Sequence, residues 1–399
     1  MVLSLGRTPL ANSLLTAEQL SHPEANYPLD LVFCAACTLV QISETVPPEK
    51  LFREYLYFSS YSDTMLEHAA TLARQMTETR RLTDRNLVVE VASNDGYLLQ
   101  YYQRAGVRVL GIEPAVNIAS VARERGIDTL SEFFSAELAS QLKAEGTGAD
   151  VIHAHNVLAH VADLNGFVRG LQLLLKQDGV AVLEVPYVRE MIDHCEFDTI
   201  YHEHLCYFSL TALDKLFQRH GLSIADVKLL PIHGGSLRVF ARQQDAPPSS
   251  APDEGLSRVK RLLAEEGQWG VSRIEFYQGF ASKVESLRSQ LVEKLARLKA
   301  DGKSIAAYGA SAKGSTLLNY FGIGRETLDF VADRSPIKQG RFTPGTHLPI
   351  YAPERLLEEK PDYVLLLTWN FASEILAQQA EYRKQGGRFI IPIPEVTVV

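Results

Sequence analysis

Six of the eleven histidines fall between His153 and His204, at His153, His155, His160, His194, His202 and His204. So many imidazoles in one stretch suit either metal ligation or proton transfer near neutral pH. The run Tyr201-His202-Glu203-His204 sets its two histidines two apart, whereas helical zinc ligands sit four apart, so a zinc hydrolase is disfavoured. Proton transfer is the better fit. His204 has the chemistry of a general base, and Tyr201 offers a phenol that can donate to a developing oxyanion. In a helical turn the two would share a face, and in a strand they would point apart. The sequence leaves both arrangements open, and for each single histidine it also leaves open a plain hydrogen-bonded core or surface role.

A second chemical segment is VVEVASNDGYLL, residues 88–99. It reads as a strand, a tight loop of small and polar residues, then a helix whose N-terminus adds partial positive charge. A dinucleotide fingerprint would show G-x-G-x-x-G here, and only Gly96 is present, so dinucleotide binding is disfavoured. Glu90 in this strand, the small-residue loop, and Glu113 at the end of the next strand (VLGIEPA) form instead the arrangement of class I S-adenosylmethionine methyltransferases. A carboxylate at that strand end can accept both ribose hydroxyls. A generic Rossmann loop capped by Asp95 is the plainer alternative.

Three further motifs remain. In His233-Gly234-Gly235-Ser236-Leu237-Arg238 the glycines would let backbone approach a ligand and Arg238 could pair with an anion, unless the segment is a simple turn. In Gly309-Ala310-Ser311-Ala312-Lys313-Gly314-Ser315, small residues, one lysine and a following helix suggest a diphosphate cradle. It is not a Walker A loop, which needs Lys directly after the second Gly. Cys34 and Cys37 make one C-x-x-C, two of the four ligands of a structural zinc.

These groups need elements to hold them. LVVEVA, VRVLGIEP, ADVIHAHNVL and GVAVLEVP alternate with helical segments such as 118–125 and 138–143, predicting right-handed βαβ units in a doubly wound sheet with its ligand edge at the strands' carboxyl ends. The polar, proline-rich QQDAPPSSAP (243–252) reads as a linker. Beyond it, Phe276, Phe280, Val284, Leu287, Leu291, Leu295 and Leu298 predict one long amphipathic helix. KSIAAYG, LDFVAD, DYVLLLTW and RFIIPIP then predict a second Rossmann-like half. Upstream, Cys34–Cys37 lies between two strand-like stretches, as a knuckle would.

The chain has 399 residues, 46% hydrophobic and 22% charged, a length and composition suited to two or three folded domains. Its net charge of −8 argues against nucleic acid as partner. No run nears eighteen apolar residues and the start lacks a signal-peptide core, so no membrane is expected and the cytoplasm is the expected compartment. Sparse cysteine use fits a reducing compartment. A monomer is expected.

The stretches LGRTPLAN, FCAACTLVQISETVPPEKLF, YLYFSSYS, EVASNDGYLL, GIEPA, HNVLAHVAD, EVPY, DTIYHEHLCYFS, HGGSLRVF and AYGASAKGSTLLNY together resemble the nucleotide-sugar C-methyltransferases that build branched deoxysugars for antibiotics, typically dTDP-4-keto-6-deoxyhexose 3-C-methyltransferases. The resemblance runs nearly end to end. It implies an α/β fold with a small zinc-knuckle-like domain (1–62), a class I S-adenosylmethionine domain (63–243) and a Rossmann-like domain holding the dTDP-sugar (244–399). His204 is implied as the base at the sugar C3, with Tyr201 and Glu203 beside it and Tyr55 and His160 reaching from the other side. Glu90, Ala92, Asn94, Gly96, Tyr97, Glu113, Phe133 and Asn156 are implied for the cofactor. Tyr207, His233, Ser236, Arg238, Gly309, Ala310 and Lys313 are implied for the substrate. Cys34 and Cys37 are the expected zinc ligands; the family's first C-x-x-C, upstream of LGRTPLAN, is not in this sequence, so half a ligand set is expected. An O-methyltransferase, a nucleotide-sugar epimerase or oxidoreductase, and a non-catalytic binding protein are the alternatives.

Overall fold

The computed structural model describes residues 1–52, 58–246 and 254–399, with the side chains of Glu49, Phe52 and His233 outside the description. Its strands are, in chain order, β1 (Leu3–Pro9), β2 (Asn26–Phe33), β3 (Val40–Ile42), β4 (Leu87–Val91), β5 (Arg108–Ile112), β6 (Thr129–Leu130), β7 (Ala149–His155), β8 (Leu175–Pro186), β9 (Cys206–Tyr207), β10 (Leu222–Leu230), β11 (Ser236–Gln243), β12 (Ile305–Tyr308), β13 (Val331–Ala332), β14 (Ile350–Tyr351), β15 (Tyr363–Leu366), β16 (Arg388–Ile391) and β17 (Thr397–Val398).

They form three sheets. The central one runs β10-β11-β8-β7-β4-β5-β6. Its strands β6, β5, β4, β7 and β8 are parallel, because each pair is joined by a helical crossover. β11 enters antiparallel between β8 and β10. Counting β4–β8, β10 and β11 from one to seven, the order is 3-2-1-4-5-7-6, the class I methyltransferase arrangement expected from the sequence. All five residues of β4 and all seven of β7 are buried, as central parallel strands must be. The crossover helices are amphipathic: Leu164–Leu174 starts on the Asp163 carboxylate, which caps Gly166 N–H, and buries Phe167, Val168, Leu171 and Leu174.

The C-terminal sheet runs β14-β13-β12-β15-β16-β17, parallel except for β17. Counted in the same way it is 3-2-1-4-5-6, the Rossmann order. The third sheet is antiparallel, β1-β2-β3-β9, with its last strand supplied from the segment after the central sheet's β8. Cys34–Thr38 turns β2 into β3, closed by Cys34 N–H to Leu39 O and Thr38 N–H to Cys34 O.

One expectation changes. The long amphipathic helix spans Phe280–Ala300, and Phe276 lies on a separate short helix, Ile274–Tyr277. Gly279 between them has φ 89°, a left-handed turn that breaks the helix although the apolar spacing continues across it. The helix Glu254–Trp269, which follows the linker stretch, packs on β10 of the central sheet. Arg258 there grips Asp226 through two bonds of 2.8 Å, and Glu266, fully buried, accepts Leu210 N–H, Thr211 N–H and the Tyr187 hydroxyl.

One hydrophobic core joins the sheets, from Leu31 through Leu183 and Phe197 to Phe321 and Leu365. Phe197 and Phe321 stack at 4.8 Å. The segment after β1 crosses to the C-terminal half, where Leu15 bridges Phe342 in the loop between β13 and β14. Among the described residues no helix is long and apolar enough to cross a membrane.

Candidate active site

A cavity of about 1000 Å³ opens where the three sheets meet, at the carboxyl ends of β4, β5 and β12. Its central-sheet wall is the loop after β4. Ala92, Asn94 and Gly96 hold φ of 53°, 48° and 78°, and a Cβ on Gly96 would lie 2.9 Å from Ile127 Cγ1, so glycine is required there. This tight path brings Asn94 N–H to Glu113 Oε2, and Ala115 N–H reaches Oε1, both at 2.9 Å. Burial, opposed by those two N–H bonds, leaves the Glu113 carboxyl above its ordinary value. Each oxygen keeps a lone pair for a hydroxyl donor, which is what a ribose needs. Glu113, Ala92, Asn94, Tyr97, Phe133 and Asn156 all line the cavity.

Glu90 does not. It sits inside the sheet, 1% exposed, in register with Gly111 and His153. Burial and the charges of Glu113, Asp95 and Glu184 hold its carboxyl well above the usual range, and it lies beneath the site, away from the cavity wall.

The opposite wall carries Thr199, Tyr201, Glu203, His204 and His160. His204 N–H bonds Tyr201 O at 2.9 Å, so the pair lies in a turn and the side chains share a face. The Tyr201 hydroxyl is 2.8 Å from His204 Nε2, and the rings are 4.1 Å apart. His204 Nδ1 is 2.9 Å from Thr199 O. A carbonyl only accepts, so Nδ1 carries the proton and Nε2 accepts from the phenol. His160 meets His204 edge-on at 4.8 Å; burial pushes its imidazole down to about 4, so it is neutral. Asn12, in the turn after β1, donates to Glu203 Oε1 at 2.7 Å. Tyr207 stands behind the site, buried, donating to Thr199 O at 3.3 Å, and so holds the carbonyl that orients His204. Tyr55 and the side chain of His233 lie outside the described residues.

The C-terminal wall supplies Ser311, Ala312, Lys313, Asp333, Lys338 and Arg341. Gly309 has φ 96° and its Cβ would strike Thr368 at 2.5 Å, so it shapes the loop and, like Ala310, is not a lining residue. The Lys313 ammonium is enclosed, 4.9 Å over the Trp369 ring, with no hydrogen-bond partner among the described residues. Three buried, unused donors at a cavity wall call for an anionic ligand. Glu196 and Asp198 lie close enough to feel its charge; burial nevertheless raises both, Glu196 to about 8.

The HGGSLR reading is corrected. A Cβ on Gly234 would lie 2.3 Å from Glu196 Oε2, and one on Gly235 2.5 Å from Glu190 Cγ, so the glycines make room for the chain's own glutamates. Ser236 and Arg238 are buried on β11. Arg238 faces Glu184 across the sheet, Nε to Oε1 2.5 Å, and its Nη2 is 2.8 Å from His68 Nε2. Its anion is Glu184, which His155 also approaches at 3.3 Å. As for metal, no group of three or more His, Cys, Asp or Glu among the described residues could hold an ion. Cys34 and Cys37 alone do not complete a tetrahedral set.

Asn12, Thr199, Lys338 and Arg341 are site residues that sequence reasoning missed. They come from aperiodic loops and, for Thr199, from a backbone carbonyl, and carry no motif. Asp333 had a signal: it ends the strand LDFVAD as Glu113 ends VLGIEPA.

Comparison with known proteins matches three family models along the chain: a zinc binding domain at residues 1–52, a methyltransferase domain at 64–227 and a C-methyltransferase C-terminal domain at 231–394. The C-methyltransferase NovU of Streptomyces niveus is 40% identical over 398 residues, covering 100% of this chain and 94% of that protein. Among solved structures, magnesium protoporphyrin IX methyltransferase from Synechocystis PCC 6803, with bound SAM, aligns over 45% of this chain and 79% of its own at 15% identity and TM-score 0.35. An S-adenosylmethionine-dependent methyltransferase from Clostridium acetobutylicum aligns over 45% and 92% at 12% identity and TM-score 0.36.

Proposed function

The chain belongs to the C-methyltransferase family, and from that premise we propose that it methylates C3 of a dTDP-4-keto-6-deoxyhexose, with S-adenosylmethionine as methyl donor and the Tyr201–His204 pair as proton acceptor. S-adenosylmethionine, when bound, supplies an electrophilic methyl group. Glu113 is the residue that fits its ribose, and Ala92, Asn94, Tyr97, Phe133 and Asn156 line the space around it.

The observation that carries the reading is that a phenol–imidazole pair and a hydroxyl-accepting carboxylate face one cavity. A hydrogen on C3 beside a C4 ketone is acidified by delocalisation into the enolate, so a positioned base and hydrogen bonds to O4 lower the barrier. The Tyr201 oxygen takes the C3 proton as its own passes to His204 Nε2, and Thr199 O, bonded to Nδ1–H, stabilises the imidazolium that results. His160, neutral and enclosed, donates to the sugar without adding charge. Lys313, with its unused donors, takes the diphosphate. Holding both reactants in one enclosed space supplies much of the remaining acceleration.

The test is product analysis after incubation with S-adenosylmethionine and a dTDP-4-keto-6-deoxyhexose. The reading expects a new methyl group on a carbon that has lost its hydrogen, seen by NMR. A methyl group on oxygen, or no methylated sugar, overturns it.

A further inference from the structure

Asp333 stands to the C-terminal sheet as Glu113 stands to the central one. Glu113 follows β5, the second strand of its sheet in chain order, and its oxygens accept one N–H from the loop after the first strand (Asn94) and one from two residues on (Ala115), at 2.9 Å each. Asp333 follows β13, again a second strand. Its Oδ2 accepts Ala310 N–H, from the loop after β12, at 2.7 Å, and its Oδ1 accepts the N–H of Ser335, two residues on, at 2.8 Å. Both acids are almost fully enclosed, and both line the same cavity.

An acid at the end of the second strand, facing the loop after the first, is where a Rossmann fold receives the hydroxyls of a pentose. A carboxylate has about four lone-pair sites, so one backbone N–H on each oxygen leaves capacity for a hydroxyl. The surroundings suit a nucleotide: Lys338 Nζ is 3.7 Å from Oδ2 and donates to Ala310 O at 2.8 Å, and Lys313 lies in the first turn of the helix that follows the same loop. The site thus presents two hydroxyl-accepting carboxylates to one cavity, and the methyl donor has a single ribose.

We infer that Asp333 accepts the 3′-hydroxyl of the deoxyribose in the substrate's nucleotide, with the diphosphate running toward Lys313. This rests on the nucleotide-sugar reading above. It gives the second Rossmann half a recognition role of its own, separate from the methyl-donor site.

Calorimetric titration of the intact protein, with S-adenosylhomocysteine saturating the Glu113 side, tests it with two probes: thymidine monophosphate and its 2′,3′-dideoxy analogue. The expected result is about tenfold weaker binding of the dideoxy compound, the worth of one hydrogen bond to a charged acceptor. In Asp333→Asn the two should bind alike while S-adenosylhomocysteine affinity is kept. The ligand comparison on the unaltered chain stands even where that variant disturbs the loop. Equal affinity of both probes for the unaltered protein overturns the role of Asp333 and leaves the nucleotide reading intact. Binding of neither overturns both.

Discussion

The Tyr201 hydroxyl rests 2.8 Å from Nε2 of His204, whose Nδ1 is held by Thr199 O. Both ring nitrogens are therefore engaged, so in the proposed mechanism a substrate proton would reach the imidazole through the phenol oxygen. Tyr201→Phe and His204→Asn should each lower kcat by about 10²- to 10⁴-fold, the range of positioned proton transfer, with S-adenosylhomocysteine affinity unchanged. Steady-state rates and calorimetry on the two variants check this; wild-type kcat in either one removes that residue from the proton path.

Glu113 accepts Asn94 and Ala115 N–H on opposite oxygens. Glu113→Gln replaces one acceptor by a donor pointed at an N–H. Affinity for S-adenosylhomocysteine should fall by about 10- to 100-fold, the size of hydrogen bonds to a charged group. An unaltered dissociation constant would take Glu113 out of ribose binding.

Arg238 is buried against Glu184, and neither contacts the cavity directly. Arg238→Met leaves a buried carboxylate short of a permanently charged partner, which costs about 3–5 kcal/mol in comparable pairs. Thermal unfolding should show a large drop in Tm, and KM for the nucleotide sugar should barely move. A raised KM at constant Tm would return Arg238 to substrate binding.

The imidazole of His160 is pushed down to about 4 by burial, against an ordinary value of 6.5. Between those values the unfolded chain binds a proton that the folded one does not, so stability is full above pH 6.5 and declines as pH falls toward 4. His153, held well below 6.5 by burial and by His155, acts in the same direction. The decline for one such group is about 1.4 kcal/mol per pH unit. Chemical denaturation across this range should show it, and His160→Gln should flatten it; an identical slope in the variant would mean His160 does not titrate as its burial demands.

The strands of both Rossmann halves are legible in the sequence because parallel strands buried on both faces are near-continuous apolar runs, as in LVVEV and ADVIHAH. Glu113 is legible for the same reason: it ends such a run. The relation of Tyr201 to His204 is only half legible, since a three-residue spacing pairs side chains in a turn and separates them in a strand. Arg238 reads as an anion grip because its partner, Glu184, is 54 residues away and reaches it only through the β8–β11 pairing. The HGGS glycines read as a ligand approach because nothing local announces Glu196 and Glu190 against them. Asn12 and Lys338 belong to loops whose course is set by tertiary contacts, and periodicity has no bearing on those.

The most direct measurement is hydrogen exchange at C3 of a dTDP-4-keto-6-deoxyhexose in deuterated water, with S-adenosylhomocysteine present so that no methyl transfer competes. Proton washout seen by NMR should depend on the protein and be lost in both Tyr201→Phe and His204→Asn. Washout at the unaltered rate in both variants, or none with the unaltered protein, would contradict the account.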